Sequence, residues 1–207
     1  MDAVQRPRAK RALDFLVTSA LLVVLSPLVA LVLAGYVLDW ALVPADRGGL
    51  FYREPRVSRG RTFGLLKFRT LRHDVLARAG GHARPHEANV ANLTWLGRLV
   101  LKPWYLDELP QLVNVLRGDI SLVGPRPWPP QMVERQVAEG HDYRLHTVAG
   151  LTGPAQITKG SGRLFADLDV GYVDAMRTLS AWALVRYDTA ILLRTIGVML
   201  RRQGLSY

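Results

Sequence analysis

Cysteine is missing from all 207 residues, which excludes disulfides, thiol nucleophiles and thiolate-held zinc or iron–sulfur centres. Any metal must bind through oxygen or imidazole. Acid is scarce as well: 17 Asp and Glu stand against 27 Lys and Arg, for a formal charge of +10. The 18 glycines carry no three-residue period, so a collagen-like chain is excluded. Long apolar runs are few. One alone, Phe15 to Leu38, is free of charge and long enough for a bilayer, too few for a multi-span transporter. What the chain does have is ample apolar surface, 49% of its residues, so most of it is expected to fold.

The run Phe15 to Leu38 reads FLVTSALLVVLSPLVALVLAGYVL. As a helix it is about 36 Å long, against a hydrocarbon core of about 30 Å. A signal peptide has a shorter apolar core, and no small-residue cleavage site follows, so the segment is expected to be retained. Ser26-Pro27 falls near its centre, where proline removes an amide donor and clashes with the preceding turn. Both flanks are net basic. Arg6, Arg8, Lys10 and Arg11 face Asp2 and Asp14 before the run, and residues 39–72 hold eight basic and three acidic side chains. Two basic flanks favour a re-entrant hairpin with both ends on one membrane face. A kinked spanning helix is the alternative.

Beyond Trp40 the chain turns polar and basic. Residues 62–70 (TFGLLKFRT) have the pattern of a strand with Lys67 and Arg69 on one face, which suits either phosphate contact or a solvated basic face. Residues 80–92 lack a period and form a loop; Pro85 argues against a helical metal pair of His82 and His86, which are surface histidines. Trp95, Leu96, Leu99 and Val100 have helical spacing, for interfacial or internal packing. Residues 107–118 predict a helix with Leu109, Leu112, Val113 and Leu116 inward and Pro110 in the first turn. Asp107 and Glu108 then stand at its start, as capping groups or as carboxylates that meet phosphate through a divalent cation.

Next comes GPRPWPP, whose prolines restrict Arg126 and suit it to bidentate phosphate recognition. Residues 131–146 predict an amphipathic helix. A glycine-punctuated loop follows with Lys159 and Arg163, either a plain turn or an anion contact. Asp167, Asp169 and Asp174 surround Tyr172, and the apolar stretch 179–200 is interrupted by Arg186, Asp188 and Arg194. Those interruptions favour a packed helix over a second span.

The order of segments is distinctive: a basic start, Ser-Pro in the apolar run, LLKFRTLRHD, YLDELPQLVNVLRGDISLVGPRP, GLTGPAQI and LDVGYV. It resembles the bacterial sugar transferase family, the small monotopic polyprenyl-phosphate phosphoglycosyl transferases, over nearly the whole chain. The resemblance implies a membrane-associated α/β or mainly α fold. Residues 1–40 would form the basic N-terminus and a re-entrant helix broken at Ser26 and Pro27. Residues 41–207 would be a compact catalytic domain with interfacial amphipathic helices, on the cytoplasmic face of the bacterial inner membrane.

It further implies a phosphoglycosyl transferase that moves a sugar 1-phosphate from a UDP-sugar to undecaprenyl or another polyprenyl phosphate. UMP would be released, and the lipid product would begin surface glycan or glycoconjugate synthesis, such as exopolysaccharide. By the same resemblance Asp107 is the nucleophile and a ligand of Mg2+, Glu108 assists, Lys67, Arg69 and Arg126 meet phosphate, Asp169 supports the site, and Arg163 belongs to the nucleotide pocket. The chain departs from the family pattern at Glu54-Pro55-Arg56, where an amide is usual at the first position, and at Ile157 to Arg163. The competing reading is a non-enzymatic membrane-tethered binder of an anionic ligand or nucleic acid, which leaves the Asp107-Glu108 pair beside an arginine-proline loop without a purpose. No nucleic-acid partner is expected; a homo-oligomer is left open.

Overall fold

A computed structural model describes residue 4 and residues 6–79, 84–158 and 165–200. The charge-free run folds within one continuous helix, α1 (Arg8–Leu42). After it come β1 (Phe51–Ser58), β2 (Arg61–Phe68), α2 (His73–Arg78), α3 (Arg84–Glu87), α4 (Gln111–Arg117) and β3 (Ser121–Val123). Next are α5 (Pro130–Ala138), α6 (Tyr143–His146), β4 (Gly150–Thr152), α7 (Pro154–Ile157), α8 (Phe165–Thr178) and α9 (Ala181–Leu200). Among the described residues the fold is mostly helical, with two separate two-stranded sheets.

Where the sequence predicts a break at Ser26 and Pro27, the helix runs through. Pro27 has no amide to offer the carbonyl of Val23, and Ser26 Oγ donates to that carbonyl at 2.8 Å instead. A hydroxyl thus satisfies the acceptor that proline orphans, which is how helices tolerate proline in apolar surroundings. Leu16, Val23, Val24 and Leu31 of α1 are 66–73% exposed. The helix is long and apolar enough to cross a membrane, and so wide an apolar exposure fits membrane association.

The chain forms two compact units. The first comprises Met1–Ser19, Arg56–Phe63 and Val115–Tyr207. Here α1 turns a polar ridge inward: Lys10, Asp14 and Thr18, spaced by one helical turn, are all buried. Asp14 accepts from Ser121 Oγ at 2.8 Å and from the Leu122 amide at 2.9 Å, which ties α1 to β3. Lys10 donates to the Val123 carbonyl and the Tyr172 hydroxyl, both at 2.9 Å, and ion-pairs with Asp188 of α9. That pairing explains the acidic interruption in the apolar α9 sequence.

Strands β3 and β4 pair in parallel, Ser121 opposite Gly150 and Val123 opposite Thr152. At their ends the backbones meet without room for a side chain. A Cβ on Gly150 would lie 2.0 Å from the Gly124 nitrogen, and one on Gly153 would lie 2.4 Å from the Gly124 oxygen. The GPRP and GLTG segments are therefore packed backbone to backbone, and only glycine permits it.

The second unit comprises Ala20–Pro55 and Gly64–Asn114. Val32 and Tyr36 of α1, Phe68 of β2, Leu96 and Leu101 form its core. The segment with helical spacing after Trp95 is a π-helical turn, Gly97–Leu101, with Leu101 in the core, Val100 packed against it and Leu99 exposed. It is held at its start by two acids: the Trp95 amide donates to Asp46 Oδ2 at 2.8 Å and the Leu96 amide to Asp39 Oδ1 at 3.2 Å. The predicted loop of residues 80–92 includes α3 and a further turn at Val90–Asn92. Pro85 sits in the first turn of α3, where a missing amide is harmless, and Asn89 Oδ1 accepts from the Ala91 amide at 3.0 Å.

Candidate active site

Within the second unit, Tyr105 adopts a left-handed backbone (φ 54°, ψ 24°), which turns the chain sharply into a 3₁₀ turn, Leu106–Glu108. α4 begins only afterwards, at Gln111. The predicted helix from Asp107 is thus divided by Pro110, and the acidic pair stands on the turn that precedes α4. Asp107 does not cap that helix; its Oδ2 lies 3.0 Å from Lys102 Nζ. A tyrosine held in this region stores local strain, a feature that clusters at functional sites.

The two adjacent carboxylates have different surroundings. Asp107 is 3% exposed, whereas the Glu108 side chain is 30% exposed. Burial pushes the Asp107 carboxyl above its ordinary range, with the neighbouring Glu108 adding to the effect, and Lys102 and Lys67 oppose it. Lys102 also lies 2.7 Å from Glu87. Burial pulls the Lys102 ammonium down, but Asp107 and Glu87 outweigh it and leave its pKa raised. Lys102 therefore stays charged beside Asp107.

Lys67 lies 3.4 Å from Glu54 and 3.8 Å from Glu108. The acid that departs from the family pattern at position 54 is thus a partner of the expected phosphate-contact lysine. Asn114 of α4 fixes this strand: its Oδ1 accepts from the Leu66 amide at 2.8 Å and its Nδ2 donates to the Gly64 carbonyl at 3.0 Å.

Arg69, also expected to meet phosphate, is 1% exposed. Its guanidinium donates to the carbonyls of Gly49 at 2.7 Å, Leu71 at 2.8 Å, and Asp46. Bonds to the chain itself make it a brace between the loop after α1 and the end of β2. The structure brings together Asp107, Glu108 and Lys67 of the expected set, and adds Lys102, Glu87 and Glu54, which sequence reasoning did not select. Lys102 had a weak signal in its place five residues before Asp107; the partnerships of Glu54 and Glu87 had none.

Within the first unit, Asp169 is buried and takes the Arg144 guanidinium at 2.5 Å and the Tyr143 hydroxyl at 3.0 Å. Burial pushes the Asp169 carboxyl up while Arg144 and Tyr143 oppose it; burial also pushes the Tyr143 phenol up to about 12, so it remains a donor. Arg144 donates to the Arg126 carbonyl, to Gln136 Oε1 at 2.9 Å, and lies over the Trp128 ring at 4.1 Å. The Arg126 loop is thus held through its backbone by Arg144, and Asp169 holds Arg144. Sequence reasoning missed Arg144, which no motif marks. Arg163, Lys159 and His82 lie outside the described residues.

Among the described residues no three His, Asp or Glu side chains converge as a metal cage. Mg2+ does not need one, since it is commonly held by one or two carboxylates with phosphates and water. Asp107 and Glu108 offer such a pair. Two adjacent carboxylates, one buried and one open, each beside a lysine, can supply a nucleophile and a proton acceptor next to cations suited to phosphate.

The sequence profile of the family described as bacterial sugar transferase matches residues 5–202. The chain is 36% identical over 208 residues to an uncharacterized sugar transferase of Haemophilus influenzae, covering 94% of this chain and 41% of that protein. It is equally similar, 36% over 208 residues with the same coverages, to the undecaprenyl-phosphate galactose phosphotransferase of Salmonella typhimurium. With the exopolysaccharide production protein ExoY of Rhizobium meliloti it shares 34% identity over 214 residues, covering 95% of this chain and 87% of that one. The chain spans about two fifths of the length of the first two relatives.

Proposed function

The chain belongs to the bacterial sugar transferase family, and from that premise we propose that it transfers a sugar 1-phosphate from a UDP-sugar to a polyprenyl phosphate. The reaction takes place at the cytoplasmic face of the bacterial inner membrane, with α1 as the membrane anchor. The relative named as an undecaprenyl-phosphate galactose phosphotransferase supports this class of donor and acceptor. The observation that carries the reading is the buried Asp107 carboxylate held 3.0 Å from Lys102 beside the more open Glu108.

Asp107 is the nucleophile. One of its carboxylate oxygens bonds to the sugar-bearing phosphorus, the bond from that phosphorus to the bridging oxygen breaks, and the electron pair leaves with UMP. An acyl-phosphate-sugar on Asp107 results. A phosphate oxygen of the polyprenyl phosphate then bonds to the same phosphorus, the bond to Asp107 breaks, and the carboxylate is restored as polyprenyl-diphosphate-sugar departs. Glu108 takes the proton of an acceptor phosphate that arrives protonated. Lys102 keeps Asp107 ionised despite its burial, and Lys67 presents positive charge to phosphate. Arg126 is a phosphate contact, with Arg144 and Asp169 as its positioning residues.

Asp107 and Glu108 would hold Mg2+, which when bound neutralises charge on the diphosphate and the leaving UMP.

The test is UMP release by purified protein in detergent, supplied with polyprenyl phosphate, Mg2+ and a panel of UDP-sugars that includes UDP-galactose and UDP-glucose. At least one donor should turn over, and Asp107→Asn should lose activity by about a thousandfold or more. Turnover undiminished in that variant, or none with any donor in folded protein, overturns the assignment.

A further inference from the structure

A cleft of about 720 Å³ in the first unit is lined by Arg6, Arg8, Arg11, Arg59, Arg117 and His146. It shares no residue with the proposed reaction, and no carboxylate lines it among the described residues. Two of the arginines are engaged internally. Arg6 pairs with Asp14, and Arg11 donates to the carbonyls of Val115, at 2.6 Å, and Leu116, at the end of α4. His146 lies 3.1 Å from Asp142. The side chains of Arg8, Arg59 and Arg117 are exposed and have no ion pair among the described residues.

Two features of this cleft run against ordinary protein electrostatics. The first turn of α1 carries no acid, yet Arg8 and Arg11 line the cleft there, where the helix dipole favours negative charge. Arg59 occupies the tip of the β1–β2 hairpin with φ 51°, a position normally given to Asn or Gly. That tip is held in place. The Arg59 amide donates to the Thr147 carbonyl at 3.1 Å, and a Cβ on Gly60 would lie 3.0 Å from the Leu145 oxygen. The fold therefore presents Arg59 from a fixed backbone into a cluster of like charge. Partial desolvation in the cleft pulls its pKa down, and the charges of Arg6, Arg11 and Arg61 add to the effect.

We infer that this cleft is a binding site for a phosphate group, held mainly by Arg8, Arg59 and Arg117. Guanidinium groups match phosphate oxygens bidentately, and one anion relieves both the arginine crowding and the ill-signed helix start. The phosphate is that of an acidic phospholipid headgroup or of a soluble phosphate compound. The headgroup is favoured by position: Phe15, 51% exposed, begins the apolar face of α1 about 10 Å along the helix from Arg8.

The test is site-resolved. Full-length protein is treated with phenylglyoxal, and arginine labelling is mapped by mass spectrometry. One arm adds inorganic pyrophosphate to protein in neutral detergent. The other compares nanodiscs of phosphatidylcholine alone with nanodiscs containing about 20% phosphatidylglycerol. Arg59 and Arg117 should be protected saturably, while Arg78 and Arg135, exposed elsewhere, should not. Protection by pyrophosphate identifies a soluble source, and protection that requires phosphatidylglycerol identifies the lipid.

Arg117→Gln should raise the concentration that half-protects Arg59 about tenfold, while Arg135→Gln should change it by less than about twofold. No protection in either arm, equal protection of Arg78 and Arg135, or an equal effect of the two variants overturns the site. The wild-type comparison stands whether or not a variant folds.

Discussion

Lys102 Nζ lies 3.0 Å from Asp107 Oδ2 and 2.7 Å from Glu87 Oε2. The buried Asp107 carboxylate, the proposed nucleophile, is thus set against an ammonium that a second acid also holds. Glu87 keeps the ammonium in place, and the ammonium offsets the burial of Asp107.

The pair has a consequence for pH dependence. Burial raises the Asp107 pKa, so the carboxylate proposed as nucleophile forms only as pH rises above the ordinary Asp value of about 3.9. Lys102→Met removes an opposing charge and raises that pKa further, which should move the acid limb of kcat/KM for UMP release upward by about one unit or more. Lys102→Arg should restore most of the limb. The Lys102 pKa is itself raised, so its loss of charge belongs above the ordinary lysine value of about 10.4 and leaves the neutral range unaffected. An acid limb at the same pH in wild type and Lys102→Met would show that the ammonium does not tune Asp107.

Arg144 joins Asp169, Gln136 and the carbonyl of Arg126. Arg144→Met leaves Asp169 as an uncompensated buried charge and should destabilise the protein by about 3–5 kcal/mol. Thermal melts in detergent measure this directly. Asp169→Asn keeps an acceptor for Arg144 and should cost less, about 1–3 kcal/mol. In the folded fraction of either variant the KM for the UDP-sugar should rise more than kcat falls, because the positioning of Arg126 is what is lost. A fall in kcat alone would contradict that role.

Lys10 and Asp188 form a second buried pair, with Tyr172 donating to Asp188 at 2.7 Å. Lys10→Met should cost about 3–5 kcal/mol, whereas Lys10→Met combined with Asp188→Leu should recover much of the loss, since no lone charge is left. Denaturation of the two variants side by side decides it; a double variant no better than the single one rules out charge burial as the cause.

Gly150→Ala places a methyl group 2.0 Å from the Gly124 nitrogen, and a backbone atom cannot step aside. The variant should lose about 3 kcal/mol or more or fail to fold. Gly171, inside α8, is the contrasting case, because a Cβ added there would meet nothing within 4 Å. Gly171→Ala should gain about 0.5–1 kcal/mol. Melting temperatures that move in the same direction for both would refute the close-approach argument.

Several elements were legible because their signals are local. The uninterrupted run from Phe15 to Leu38 predicted an apolar helix, which the structure extends to Arg8–Leu42. The pattern at residues 62–70 predicted β2, and the apolar stretch from Leu179 predicted α9. Asp107 and Glu108 were legible as a chemical pair. Their support was not, because Asp107 draws on Lys102 and Glu87 through a left-handed turn at Tyr105 that no periodicity announces. Arg69 matched a basic motif by sequence, but its donors meet the carbonyls of Gly49 and Asp46, residues brought near only by the turn after α1.

The sequence by itself determined the membrane-length apolar helix, the absence of thiol chemistry, the excess of positive charge and the identity of the acidic pair. These follow from composition and from interactions a few residues apart. Tertiary structure alone decided which charges are buried and which are exposed. Lys10 looks from its neighbours like one more basic flank residue, yet it lies fully buried against Asp188, 178 residues away, while Arg8 two positions earlier faces the arginine cleft. The difference is one of helix face: an ammonium turned inward must find a carboxylate to offset its desolvation, and only the folded chain supplies one.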